Sequence, residues 1–165
     1  MKKTEAEKLI ESQMEKHPEM KSSERTAFVL LLLFVAVRIV PAVFQTAYVT
    51  YYGLPKIQCL ISYVLIILSI LFAVTIAQGA RFFTGLGIIC SAYPILNEVL
   101  DYYLPNGTPP EAGLLRNAYL ISIFAACFIQ VAAMLFILLS PKIKAYLDMV
   151  DSIRRGFFDD GDVYI

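Results

Sequence analysis

The sequence predicts an all-α integral membrane protein: a four-helix bundle with both termini in the cytoplasm and a C-terminal amphipathic helix at the interface. Three observations predict it. Of the 165 residues, 58% are hydrophobic and 17% charged, against about 45–50% and about 25% in soluble domains, and mean hydropathy is +0.66. The apolar excess lies in long uncharged runs, as expected of a chain partly surrounded by lipid. Lys and Arg gather in alternate connecting segments, the pattern of a multi-pass protein.

Residues 1–25 form a charged N-terminal segment. Within it, residues 4–17 suit a short surface helix with Ala6, Leu9, Ile10 and Met14 on one side, and partner docking is the alternative use of that thin stripe. His17, the one histidine, has no Cys or His neighbours, so a solvated residue is expected there rather than a metal ligand. The apolar run that follows lacks a small-residue cleavage site, so it is read as a retained helix and not a cleaved leader.

A transmembrane domain is expected over 26–140, with helices at about 26–52, 57–77, 82–103 and 117–140. The second and fourth carry no charge and are long enough for a hydrocarbon core ~30 Å thick. The first contains Arg38, and the third carries Glu98 and Asp101 near its far end. Those two need neighbours to cover their polar groups, which favours a bundle over separate spans. Gly53-Leu54-Pro55 is expected to end the first helix and place proline in the first turn of the second. Gln78-Gly79-Ala80-Arg81 is read as a tight turn, and the longest connection, 102–115, as an ordered turn around Pro105-Asn106-Gly107 and Pro109-Pro110. Gly79, Gly85 and Gly87 are assigned to close helix packing.

Orientation follows from basic residues. The N-terminal segment holds six Lys or Arg, the turn holds Arg81 and the C-terminal segment holds four, whereas the opposite side has only Lys56 and Arg116. The richer side is assigned to the cytoplasm, and the membrane to the plasma (inner) membrane. Tyr48, Tyr51, Tyr52, Tyr102 and Tyr103 are then expected to form an aromatic belt at the outer interface. Residues 141–165 form the last cytoplasmic segment. Ile143, Tyr146, Leu147, Val150 and Ile153 recur at helical spacing, predicting an amphipathic helix along the inner leaflet or against the bundle's cytoplasmic mouth. Gly156 is expected to end it, ahead of an acidic tail, Asp159-Asp160-Gly161-Asp162, that lacks full calcium-loop spacing.

The candidate site lies among polar groups inside the hydrocarbon. Arg38, Ala42, Gln45, Val49 and Tyr52 share one helical face, and Pro41 within it predicts a kink that frees the Val37 carbonyl. On the third helix Gly87, Cys90, Pro94, Asn97 and Asp101 share a stripe with Glu98 adjacent, and Pro94 predicts a second kink. Gln130 shares a face with Ser122, Ala126 and Ala133 and should match Arg38 in depth. Arg38, Gln45, Asn97, Glu98 and Gln130 are therefore expected to meet in one interior. They would form either a hydrogen-bonded network that fixes helix register or the lining of a hydrated cavity for an anion, a proton or a small polar solute.

No catalytic constellation, cofactor motif or metal-ligand pattern is present, so no catalytic, cofactor or metal residue is assigned. Net charge is zero, which gives no reason to expect nucleic acid. Cys59, Cys90 and Cys127 all fall in apolar runs and do not read as a disulfide framework. The expected function is a non-catalytic membrane subunit or oligomerising scaffold, with the lipid bilayer and either further copies or other membrane proteins as partners. The alternative is a small oligomeric transporter or channel component with a polar pathway around Arg38 and Glu98. A lipid-modifying enzyme using Glu98 and Asp101 stands third.

Overall fold

A computed structural model describes residues 5–103 and 113–159, except for the side chains of residues 58, 99–103 and 157–159. Among the described residues the chain is all-helical, with α1 Glu5–Lys16, α2 Pro18–Tyr51, α3 Ile57–Ala77, α4 Phe82–Tyr103, α5 Leu114–Leu139 and α6 Pro141–Asp159. Three helices are long and apolar enough to cross a membrane: α2, the Cys59–Ala77 part of α3, and α5. By length and composition they mark a membrane protein.

Helix limits follow capping chemistry more closely than hydropathy. α2 begins at Pro18 instead of residue 26, because Pro18 occupies the first helical position and His17 the cap, where proline's fixed φ and missing N–H cost nothing. The polar turns before the apolar run stay helical, with Ser23 and Thr26 donating to the carbonyls of Glu19 and Ser22. Its 34 residues span ~50 Å at ~1.5 Å each, well beyond the hydrocarbon. α2 and α3 both close on a glycine with positive φ, Gly53 at +64° and Gly79 at +102°. In each the next amide bonds back five residues, Leu54 to Val49 at 2.9 Å and Ala80 to Thr75 at 3.2 Å, the Schellman arrangement that satisfies otherwise orphaned carbonyls. Pro55 precedes the Lys56 cap and so lies outside the first turn of α3.

Two further limits differ from expectation. α5 starts at Leu114, capped by Gly113, three residues before 117. α6 runs through Gly156 to Asp159; a single glycine costs a helix only about 1 kcal/mol, too little to end it. Ser140 joins α5 to α6, capping the first and bonding through Oγ to the Ile143 amide at 3.5 Å in the second. The expected turn at Pro105–Pro110 and the acidic tail beyond Asp159 lie outside the described residues.

α2 packs on α3 and α5, and α4 packs on the same two, so these helices contact one another in a ring. α1 and α6 cover one end of it. Ile10 of α1, Ala27, Leu31 and Phe34 of α2, Ile76, Met134 and Ile137, and Ile143, Leu147 and Val150 of α6 form a single buried cluster. α1 is thus no free surface helix: Ile10 is buried and Met14 partly so, packed on that cluster, while Leu9 faces out. A smaller cluster of Tyr48, Val49 and Cys59 lies towards the other end. Tyr48 is not part of an outward belt, because it is buried and its ring stacks on Tyr119 of α5 at 6.4 Å. Tyr51 is exposed. The outer faces carry unburied Phe28, Val43, Ile67, Phe128 and Leu139, side chains that suit lipid contact. Gly85 meets nothing, whereas a Cβ on Gly79 would stand 2.7 Å from Asp151 of α6 and one on Gly87 3.5 Å from both Met134 Sδ and Phe34 Cζ, so close packing explains those two and not Gly85.

Candidate functional site

Between the two apolar clusters lies a buried polar layer. Arg38 is on the inward face of α2 and is only 4% exposed. Its Nη1 donates to Gln130 Oε1 of α5 at 3.4 Å. The Gln130 amide is oriented from its other side, since Nε2 donates to the Phe34 carbonyl at 2.8 Å. That carbonyl lies one turn before Arg38, so the amide ties α5 to both the backbone and the charge of α2. Pro41 is buried one turn further along, which places the proline-weakened stretch of α2 beside this bond.

Gln45, two turns beyond Arg38, is partly buried and accepts a hydrogen bond from the Ser62 hydroxyl of α3. The adjacent pair, Thr46 Oγ1 and Tyr63 OH, is 2.9 Å apart. Together they set an antiparallel α2–α3 register. Two turns back along α2 and two turns on along α3, that register brings Arg38 level with Ser69. The Gly87–Met134 contact does the same for α4 and α5, bringing Ser91 level with Gln130. Ser69 and Ser91 are 5% and 2% exposed, and their hydroxyls donate to the Leu65 and Gly87 carbonyls of their own helices.

Each of the four long helices therefore contributes a buried polar side chain at about one depth. The structure brings Arg38 and Gln130 into contact and places Gln45 against Ser62, in a separate bond nearer the other end. Asn97 and Glu98 are partly buried on α4. Taking Gly87 as level with Phe34, Glu98 falls near the depth of Gln45, ~10 Å from the Arg38 level at ~1.5 Å per residue. Pro94 lies inside α4, partly buried.

Ser69 and Ser91 were not legible as part of the site. A lone serine in an apolar run reads as a small packing residue, and only the register between helices sets it beside an arginine. Arg38 retains an unused donor: its Nη2 is buried with no hydrogen-bond partner. Ion pairs join His17 to Glu19, Arg81 to Asp148 and Arg155 to Asp151, and Arg38 is in none of these. Among the described residues no group of three metal-ligating side chains occurs, and the three cysteines are free thiols. No family model, curated protein or solved structure matches this chain.

Proposed function

We propose that the chain is a four-helix, multi-pass protein of the plasma membrane that acts as a non-catalytic subunit or oligomerising scaffold. Both termini and the α3–α4 turn are placed in the cytoplasm. Supporting this orientation, α6 packs on α1 and α2, and Arg81 of that turn pairs with Asp148 of α6. The basic segments thus gather at one end, as the positive-inside rule asks.

The docking role rests on one surface. An apolar groove runs between α2 and α3, lined by Ile39, Ala42, Val43, Thr46, Ala47 and Tyr63 among others. Small side chains there let another helix approach closely, while the exposed Thr46–Tyr63 pair is already satisfied, Thr46 Oγ1 donating to the Ala42 carbonyl. The partner is a transmembrane helix of a second copy or of another membrane protein. Mass measurement in lipid nanodiscs, with mass analysis of co-purifying chains, tests this. Wild type should exceed the monomer mass or carry a second protein, and Ala47→Phe, which fills the groove, should abolish that. A lone wild-type monomer under these conditions sinks the reading.

A transport role, with Arg38 and Glu98 along a pathway in an oligomer, is the second reading, favoured by the unused donor on Arg38. Solute flux into proteoliposomes tests it.

A further inference from the structure

We propose that the buried layer around Arg38 binds a small monovalent anion of halide size against Nη2. A guanidinium always carries its charge and has five N–H donors in a fixed fork. Here it is 4% exposed, its one hydrogen bond among described residues runs to a neutral amide at 3.4 Å, and Nη2 has none. Gln130 cannot improve on this, because its amide is held by the Phe34 carbonyl at 2.8 Å and brings no countercharge. A buried cation without an opposite charge is among the costliest groups a protein can hold. Water would supply the missing acceptor only; an anion supplies the acceptor and the charge together.

The rest of the layer suits the same ligand. Ser69 and Ser91 stand at the Arg38 level on the two remaining helices of the ring, with hydroxyls that donate only to carbonyls of their own turns. Rotation about Cα–Cβ frees either hydroxyl to donate to an ion, at the loss of one weak local bond. With either hydroxyl turned inward, Gln130 Nε2, the Arg38 fork and the serines would offer an ion several donors at one depth, and none of the ion pairs at His17, Arg81 and Arg155 competes for Arg38. The fully buried Phe34 and Met134 beside the layer leave no room for a bulky anion, and burial excludes a lipid headgroup.

This deepens the transport reading by naming a ligand class, yet binding is measured at equilibrium with no gradient, so absent flux leaves it standing. The full chain in phosphatidylcholine nanodiscs is titrated with sodium chloride against sodium gluconate at constant ionic strength. Thermal unfolding and the chloride NMR line width are read together. Wild type should show a saturable rise in unfolding midpoint and excess line broadening in chloride but not gluconate. Arg38→Gln should lose both, and Arg81→Gln should keep both. Ser69→Ala and Ser91→Ala, which spare the charge, should each weaken chloride about tenfold, so the test survives a misfolded Arg38 variant. Equal behaviour of wild type in the two salts overturns the proposal, as does an undiminished chloride response in Arg38→Gln or in both serine variants.

Discussion

Asp151 of α6 lies directly against Gly79: a Cβ built on that glycine would stand 2.7 Å from the Asp151 amide nitrogen and 2.8 Å from its Cα. The turn that closes α3 is therefore also the seat of α6. Gly79 has φ +102°, unfavourable for any side chain, and the obstructing atoms are the backbone nitrogen and Cα of Asp151 together with its Cβ, none of which can swing away. Gly79→Ala should cost about 2–4 kcal/mol, backbone strain plus overpacking. Gly53→Ala shares only the strain, since nothing lies near its Cβ, and should cost about 1–2 kcal/mol. Reversible unfolding in detergent compares them, and equal losses would show that the α6 contact adds nothing.

Gln130 and Arg38 should respond unequally to removal. Gln130→Leu strands a buried guanidinium and an amide-bonded carbonyl, and should destabilise by about 2–3 kcal/mol. Arg38→Leu removes the charge itself and leaves only a neutral oxygen unpaired, so its loss should be smaller, or a gain. With Arg38 already leucine, Gln130→Leu should cost less than in wild type. Strict additivity in that double-mutant cycle would mean the bond has no energetic weight.

Tyr146, outside the membrane spans, gives the protein an alkaline limit. Burial first, and the Glu24 carboxylate second, push its phenol up to about 12 from the ordinary 10, with Arg154 opposing. The folded state thus holds its proton more tightly than the unfolded chain does. Stability from this group is fully present below pH about 10 and declines as pH rises towards about 12, by roughly 2–3 kcal/mol in all. Unfolding measured from pH 8 to 12 should show a shallower decline in Tyr146→Phe; parallel curves would remove the phenol from the account.

The Arg81–Asp148 pair, 2.9 Å apart with side chains 31% and 48% exposed, should matter little. A double-mutant cycle with Arg81→Gln and Asp148→Asn is expected to give a coupling under about 1 kcal/mol that shrinks further in molar salt. A larger, salt-insensitive coupling would show that α6 is held electrostatically instead of by Leu147 and its neighbours.

Periodicity and charge made the helical class, the apolar runs and the stripe on α6 readable from residue order alone. Helix starts were less so, because Pro18 and Gly113 act as local stops that a hydropathy window averages away. Arg38 and Gln130 stood out as polar residues in apolar surroundings, each conspicuous alone. Tyr48 was misplaced because an aromatic near a helix end suits an interface or a core equally, and only its face decides. Ser69 and Ser91 depend on how helices slide against one another, which side-chain contacts such as Gln45–Ser62 determine and linear spacing does not.

The eleven-residue cluster that seals one end draws on the first and the last of the described helices, from Ile10 to Val150. Ribosomes deliver Ile10 first and Val150 last, so this seal cannot form until synthesis has passed α6, long after three spans have entered lipid. α1 must then wait for its counterpart until α6 has left the ribosome. A nascent chain stalled just beyond Ser140 should leave α1 open to protease, and one released after Asp159 should protect it.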